Sequence, residues 1–233
     1  MARHGCLREM YEASKKDDWP GIGIVSRKFS LKTFHDELKD ICGFFPDDTF
    51  DTIRIIACNP FQSTSIAESF DAHPMHTDAS FSVEQLEKFV LHFKRLDENA
   101  GGVSTFIPVQ WLLDKIPQKH KEILEQVKFT YARAGSKGNS KPAAAPILQW
   151  KSAIDYVFRW RLDDKVRPLA MDAHDIDIDN AINWVNQFLI NTTPLMYRAQ
   201  RDDTILIDNR RFLHGRTALS QSSSRIVWRA WIK

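Results

Sequence analysis

The stretch "RIVWRAWI", residues 225–232, carries two arginines in a run that is otherwise apolar and rich in aromatic and β-branched residues, and it predicts a β-strand. Successive side chains of a strand point to opposite sides of a sheet, so this strand has two different faces. One face is apolar throughout, with the members Ile226, Trp228, Ala230 and Ile232. The other face holds both arginines, with the members Arg225, Val227, Arg229 and Trp231.

Two arginines on one strand face leave two interpretations open. A solvent-facing edge strand would expose both of them to water. If the face points into the interior, each guanidinium needs an anionic partner, because an unpaired buried charge is very costly. Arginine is suited to bidentate capture of a carboxylate, so the second interpretation predicts an anion-binding site.

Further short runs rich in β-branched or aromatic residues predict a mainly β chain. They are "DTIRIIAC" (51–58), "FVLHFKRL" (89–96), "VSTFI" (103–107), "VKFTYAR" (127–133), "YVFRWRL" (156–162), "LMYRAQ" (195–200) and "TILIDN" (204–209). Flanking helices are predicted in "SLKTFHDELKDICGFF" (30–45), at about 108–126 with a break at Pro117, and at about 176–191. Many short strands separated by turns favour an antiparallel barrel or sandwich over a parallel sheet.

Composition narrows the class of protein. The 233 residues are 43% hydrophobic, which suffices for one core and one domain. The formal charge is +2, from 32 basic and 30 acidic residues spread along the chain, and this favours neither a nucleic-acid face nor a polybasic membrane patch. No stretch approaches the roughly 18 apolar residues of a membrane span, and the three cysteines show no CxxC or disulfide pattern. A soluble, cytoplasmic protein is expected.

The segment "SFDAHPMHTDASF", residues 69–81, contains a His-x-Asp triplet. In a strand, residues i and i+2 point to the same side, so His76 and Asp78 could bind one ion while Thr77 points away. Two polar residues in a turn are the alternative. Together with a third ligand, the pair would form a facial triad suited to oxygen chemistry on Fe(II). His73 competes with His76, but the spacing to Asp78 favours His76, and His73 is expected in a loop.

A third ligand must come from another part of the chain. His214 follows a predicted strand, and Gly215 after it permits close backbone approach. The other histidines lie before the strands, inside a strand, on a charged helix or in an acidic loop: His4, His35, His92, His120 and His174. His214 is therefore the best candidate.

Four segments in order carry a family resemblance: "HTD" (76–78), "GGVSTF" (101–106), "DNRRFLHGRTAL" (208–219) and "RIVWR" (225–229). From about residue 50 to 233 the chain resembles the Fe(II)- and 2-oxoglutarate-dependent dioxygenases of the taurine dioxygenase and clavaminate synthase-like superfamily. The resemblance implies a double-stranded β-helix, or jelly roll, at about 50–233. An N-terminal helical segment at about 1–48 would complete a single oxygenase domain, 1–233.

The resemblance also implies roles for individual residues. The catalytic iron ligands would be His76, Asp78 and His214. Arg225 would hold the far carboxylate of 2-oxoglutarate, assisted by Ser104, with Thr105 as the neighbouring alternative. Arg229, four residues beyond Arg225, would meet an acidic group on the prime substrate. Arg216 would either help to hold the co-substrate or form a structural salt bridge.

The implied reaction uses Fe(II), 2-oxoglutarate and O2, and it releases succinate and CO2. It would hydroxylate a small substrate with a carboxylate or similar anion, or carry out desaturation or ring chemistry on it; an amino acid or a secondary-metabolite intermediate is the expected class. Halogenating relatives replace the carboxylate ligand with a small residue, so Asp78 disfavours halogenation. Two alternatives stay open: a jelly-roll binding module, and a cupin-like metalloenzyme that does not use 2-oxoglutarate. The stretch at 134–146 is either a connector or a lid.

Overall fold

The computed structural model describes residues 1–44, 52–58, 66–82, 85–133, 144–152, 155–163, 166–171 and 175–233. The strands are β1 (Ala2–Arg3), β2 (Ile22–Ser26), β3 (Arg54–Ala57), β4 (His73–His76), β5 (Lys88–Arg95), β6 (Ser104–Pro108), β7 (Phe129–Arg133), β8 (Leu148–Trp150), β9 (Tyr156–Phe158), β10 (Val166–Ala170), β11 (Leu195–Tyr197), β12 (Asp203–Asp208), β13 (Phe212–Arg216) and β14 (Ile226–Ile232). The helices are α1 (Leu7–Ala13), α2 (Leu31–Ile41), α3 (Val109–Leu113), α4 (Gln118–Gln126) and α5 (Ile176–Asn191).

Two sheets form the centre of the molecule. The larger has the order β1-β2-β12-β5-β14-β3 and the smaller has the order β11-β6-β13-β4. Apart from the parallel β1–β2 pair, neighbouring strands in both sheets are antiparallel. Side chains from both sheets, among them Phe89, Phe106 and Phe212, share one buried cluster, so the sheets face each other across a core. The predicted antiparallel sandwich is confirmed.

Strand β14 lies inside the larger sheet, between β5 and β3, so the edge-strand interpretation is wrong. Its two predicted faces are confirmed. Val227 and Trp231 pack in the core between the sheets, whereas Trp228 and Ala230 pack on the outer side of the sheet. The face with the two arginines therefore points into the molecule.

Helix α2 covers that outer side. It begins with a capping box, in which the Ser30 hydroxyl accepts from the Thr33 N–H and the Thr33 hydroxyl accepts from the Ser30 N–H. Phe34 and Leu38 are buried in the same cluster as Trp228. The helix predicted within residues 30–45 is therefore confirmed.

The N-terminal segment is more than helical. Strand β2 pairs with β12 inside the larger sheet, and β1 pairs with β2, so residues 1–48 also supply two strands. The run "IGIVS" has four buried residues in succession and lacks the alternation that marks a half-exposed strand. This part of the expected organisation is corrected.

The outer side of the smaller sheet packs against α3, α4 and α5, in a cluster that includes Ile107 and Leu213. Pro117 separates α3 from α4 as predicted, and α5 spans the predicted range. Most of the connector-or-lid stretch, residues 134–143, lies outside the described residues. None of the helices in the described part of the chain has both the length and the apolar character of a transmembrane span.

Candidate metal centre

Three side chains from neighbouring strands converge between the two sheets. His76 is the last residue of β4 and lies opposite His214 of β13, and Asp78 follows His76 by two positions. One potential ligand atom from each residue lies within 4.8 Å of the other two, and all three residues are buried. Among the residues that the structure describes, no other group of three or more His, Cys, Asp or Glu side chains gathers in this way. The geometry brings the three expected ligands together.

The carboxylate oxygen of Asp78 and the Nε2 atoms of the two histidines face one another at distances longer than a short hydrogen bond. Oδ1 of Asp78 lies 3.5 Å from Nε2 of His76 and 3.8 Å from Nε2 of His214. Nδ1 of His76 donates to the carbonyl oxygen of Pro74 over 2.9 Å, so Nε2 is the ring nitrogen that faces Asp78. Two imidazoles and one carboxylate with room between them form the donor set that non-haem Fe(II) sites use.

The protonation states also suit a metal. Burial lowers the pKa of His214 well below its usual value, and the neighbouring His76 lowers it further, so this imidazole is neutral at pH 7. Burial would raise the pKa of Asp78, but Arg229 and the two histidines outweigh it and hold that pKa well below its usual value. A neutral imidazole and an ionised carboxylate are the forms that coordinate metal ions.

Asp78 is held on all sides. Its backbone N–H donates to Oδ1 of Asn209 over 2.8 Å, and Nδ2 of Asn209 donates to its carbonyl over 3.0 Å. Nε1 of Trp231 donates to Oδ2 over 2.8 Å, and Nη1 of Arg229 lies 3.1 and 3.2 Å from the two carboxylate oxygens. Sequence reasoning missed Asn209 and Trp231; for Trp231 the signal was available, because it shares the strand face of Arg229.

Thr77 points away from the site, as expected. Its hydroxyl accepts a hydrogen bond from the Trp160 N–H over 2.9 Å, and its own N–H donates to the Trp160 carbonyl over 2.8 Å. The middle residue of the His-x-Asp triplet thus ties the segment to a neighbouring part of the chain. This contact helps to fix His76 and Asp78 on the opposite side.

A pocket of about 490 Å³, including its open mouth, contains the three residues and the arginine-bearing face of β14. Arg225 lines it and is almost completely buried, with the guanidinium 5.6 Å from the centre of the Phe93 ring. Within the described ranges, no side chain or carbonyl forms a hydrogen bond or ion pair with that guanidinium. Burial lowers the pKa of Arg225 to about 10, and the nearby Arg216 contributes. A buried cation without a protein partner indicates a site for an external anion.

Ser104 faces the same pocket. It lies directly opposite Arg216 in the β6–β13 pair, and cross-strand partners point to the same side of a sheet. Thr105 lies opposite Gly215 and points the other way; a Cβ on Gly215 would lie 2.5 Å from the His73 carbonyl oxygen and 3.1 Å from the Thr105 hydroxyl. Of the two neighbouring alternatives, the structure therefore places Ser104 beside Arg225 in the pocket. The glycine at 215 is required by the close approach of β4.

His73 does not lie in a loop, and that expectation is wrong. It is the first residue of β4, and its ring stacks on His76 with centroids 3.9 Å apart. Its buried Nε2 atom has no hydrogen-bond partner among the described residues, and the residue lines the pocket. It is not a member of the convergent group, which supports the choice of His76.

Arg216 binds backbone rather than a co-substrate in this structure. Its guanidinium donates to the carbonyl oxygens of Ser69, Asp71 and Thr217. These contacts connect β13 to the segment that leads into β4. The structural alternative for Arg216 is therefore favoured, with carbonyl groups as the partners seen.

Comparisons with known proteins give a family. Residues 47–231 match the family model described as "Taurine catabolism dioxygenase TauD, TfdA family". No curated protein sequence matches the chain at a significant level. Solved structures similar to it include asparagine oxygenase in complex with Fe(II), 3-hydroxyasparagine and succinate, at 16% identity and a TM-score of 0.75 over 97% of this chain and 78% of that one.

Two further neighbours have related descriptions. The non-haem iron oxygenase OrfP, as a variant in complex with (3S)-hydroxy-L-Arg, has 15% identity and a TM-score of 0.73 over 97% of this chain and 79% of that one. PvcB from Pseudomonas aeruginosa has 17% identity and a TM-score of 0.66, over 91% of this chain and 75% of that one. The likeness to these structures confirms the mainly β, double-stranded β-helix fold. The family model matches most of the length of this chain, so the chain belongs to the TauD, TfdA family of dioxygenases.

Proposed function

We propose that this chain is an Fe(II)- and 2-oxoglutarate-dependent dioxygenase that oxidises a small substrate with an anionic group, such as an amino acid or a biosynthetic intermediate. One observation carries the proposal: a buried two-histidine, one-carboxylate group shares a pocket with a buried arginine that has no protein partner among the described residues. We propose further that residues 1–233 form one oxygenase domain, with its jelly-roll core at about 50–233.

The residues present fit the metal and the co-substrate. His76, Asp78 and His214 would hold Fe(II), since they offer two imidazole nitrogens and one carboxylate oxygen to a single point. Arg225 would pair with the far carboxylate of 2-oxoglutarate, with the Ser104 hydroxyl as an additional donor. When bound, iron and 2-oxoglutarate supply the activation of O2 and the oxidation of the substrate, with succinate and CO2 released.

The pocket selects anions by its own charge. Among the described residues, three arginines line it against one carboxylate, that of Asp78, so these groups give the pocket net positive charge before any metal binds. Apolar residues complete the wall, among them Ile56, Phe89 and Val227. An apolar wall excludes water and strengthens the interactions of the charged groups inside it. A dianionic co-substrate and an anionic substrate are both suited to such a site.

Arg229 is proposed to meet the anionic group of the substrate. In the structure its guanidinium contacts Asp78, and Nη1 makes both of those contacts. A guanidinium is a planar fork of N–H donors suited to binding a carboxylate, and Arg229 lines the pocket beside the three proposed metal ligands. Arg229 would then connect the substrate to the carboxylate ligand of the metal.

The neighbouring structures support the amino-acid class of substrate. Asparagine oxygenase and OrfP are described in complex with hydroxylated asparagine and hydroxylated arginine. Both of these ligands carry an α-carboxylate that an arginine could bind. With Asp78 present, hydroxylation, desaturation or ring chemistry is favoured over halogenation.

The decisive experiment is a succinate-release screen with Fe(II), 2-oxoglutarate and O2 across amino acids and small organic acids. We expect one class of substrate to raise succinate formation, and mass spectrometry of the product to show a gained oxygen or the loss of two hydrogens. His76→Ala is the inactive control. Metal binding without succinate formation from any substrate would favour a binding module. Turnover that is independent of 2-oxoglutarate would favour a cupin-like enzyme.

A further inference from the structure

We infer that Trp231 is a positioning residue for the metal site: its indole N–H holds one oxygen of Asp78 and leaves the other to face the two histidines. The inference rests on the proposed function, because it takes His76, Asp78 and His214 as the metal ligands. Trp231 lies on the inward face of β14 and is not one of the expected metal ligands.

The two oxygens of Asp78 have different surroundings. Oδ2 accepts a hydrogen bond from Nε1 of Trp231 over 2.8 Å. Oδ1 is the oxygen that lies 3.5 Å from Nε2 of His76 and 3.8 Å from Nε2 of His214. Arg229 does not distinguish the oxygens, because Nη1 lies 3.2 Å from one and 3.1 Å from the other. Trp231 is therefore the contact that makes the carboxylate asymmetric.

Both ends of this hydrogen bond are fixed. Trp231 lies opposite Phe89 in the β14–β5 pair, packs in the core between the sheets and has the Arg229 guanidinium 4.9 Å from the centre of its ring. Asp78 is fixed through its backbone by Asn209. Rotation of the carboxylate away from the indole would break a buried hydrogen bond, which is costly.

The asymmetry bears on the number of open coordination positions. An aspartate can bind a metal through one oxygen or through both. If Oδ2 is held by Trp231, Asp78 takes one position, and the remaining ones stay open for the co-substrate and O2. Groups that orient metal ligands commonly change metal affinity by about 10- to 100-fold when they are removed.

Trp231→Phe tests the inference, because it removes the N–H donor and keeps an aromatic ring in the core. Trp228→Phe is the matched control, since it makes the same change on the opposite face of the same strand. We expect Trp231→Phe to weaken Fe(II) binding about 10- to 100-fold in an anaerobic titration. We also expect it to change the d–d spectrum of the Co(II)-loaded protein, whereas Trp228→Phe should change neither.

The outcomes separate the two proposals. If the wild-type protein binds no Fe(II), the proposed function fails and the inference fails with it. If the wild type binds Fe(II) and Trp231→Phe binds it equally well with an unchanged Co(II) spectrum, the inference is overturned while the proposed function stands.

A measurement on the wild type covers the case in which Trp231→Phe does not fold. In protein labelled with ¹⁵N-tryptophan, addition of Zn(II) should shift the indole N–H resonance of Trp231 and leave that of Trp228 in place. If the Trp231 indole resonance does not shift when metal binds, or if its N–H proton exchanges rapidly with solvent, the inference is overturned.

Discussion

Two histidine–aspartate pairs in this molecule, each with a buried histidine, have the same separation and different chemistry. Nε2 of His214 lies 3.8 Å from Oδ1 of Asp78, and Nε2 of His92 lies 3.8 Å from Oδ1 of Asp202. The first pair has His76 as a third member and opens into a pocket. For the second pair, the structure describes no third metal-binding group nearby. An imidazole near a carboxylate is therefore not enough to mark a site; a third convergent donor and open volume are needed.

The surroundings of His92 show why it is structural. Its Nδ1 lies 2.9 Å from the Thr204 hydroxyl, and three aromatic rings, those of Phe29, Phe34 and Trp228, lie with centroids 5.5, 5.2 and 4.9 Å from its own. These groups fill the space around the imidazole on the outer side of the larger sheet.

The cationic side chain beside each pair also differs in whether it has a protein partner. Nζ of Lys94 lies 3.7 Å from Oδ1 of Asp202 and donates to the Phe29 carbonyl over 3.0 Å. Arg225, beside the first pair, has no such partner within the described part of the chain. The cation at Arg225 and the open triad lie on the same side of the sheet, where we propose that the co-substrate binds.

The largest expected difference between the pairs is in metal affinity. His214→Ala should weaken Fe(II) binding by more than about 100-fold, because losing a ligand should exceed the 10- to 100-fold cost of losing a group that only orients one. His92→Ala should leave the affinity unchanged. Anaerobic titration, with circular dichroism as a check on folding, measures both; equal losses in the two variants would remove the contrast.

Stability should show the reverse order. His92→Ala should lower the free energy of unfolding by about 2–4 kcal/mol, because it leaves a cavity among aromatic rings and removes the partner of Thr204. His214→Ala should cost less, since Nδ1 of His214 has no hydrogen-bond partner in the described ranges and its ring borders a pocket. Urea denaturation of the metal-free proteins tests this, and a larger loss for His214→Ala would contradict it.

The two cations should differ in their effect on the co-substrate. Arg225→Met should weaken 2-oxoglutarate binding by about 10- to 100-fold, the effect of losing a charge-assisted contact. Lys94→Met should leave 2-oxoglutarate binding unchanged, and neither variant should alter Fe(II) affinity. Calorimetry on the Fe(II)-loaded, oxygen-free protein measures these values. An unchanged affinity in Arg225→Met would assign Arg225 to another anion.

The last expected difference is in the pH dependence of stability. Burial lowers the pKa of His92 to about 4, so the unfolded chain, with a pKa near 6.5, takes up the proton first as the pH falls. Wild-type stability should therefore decrease between about pH 6.5 and pH 4. His92→Gln, which lacks the titrating group, should lose part of this slope. Urea unfolding at several pH values measures it; an identical slope in the variant would show that His92 does not titrate differently on folding.

The features that could be predicted from the sequence are those that depend on the local alternation of side chains along a strand. The two faces of β14 follow from an alternation of period two, and the same rule places His76 and Asp78 on one side. The need for Gly215 was also visible, because only a residue without a Cβ lets β4 approach so closely. Ser104 was chosen from the family resemblance of the "GGVSTF" segment; it lines the pocket, and its role stays a prediction.

Other features could not be predicted because they depend on distant parts of the chain or break local rules. Strand β2 is buried along almost its whole length and therefore does not alternate. His73 was misplaced because only the spacing of His76 to Asp78 was considered; β4 is an edge strand, where the proline at 74 is tolerated. The contacts of Trp231 and Arg229 with Asp78 join residues more than 150 positions apart.

Asn209 orders Asp78 in the folded protein before any metal binds. Besides its two hydrogen bonds to the backbone of Asp78, its Nδ2 donates to the Leu86 carbonyl over 3.0 Å and its N–H donates to the Glu87 carbonyl over 2.8 Å. These bonds form when the sheets assemble, so most of the entropy lost in ordering Asp78 is lost during folding. The protein should thus load and release its metal as a folded molecule, unlike small domains in which metal binding drives folding.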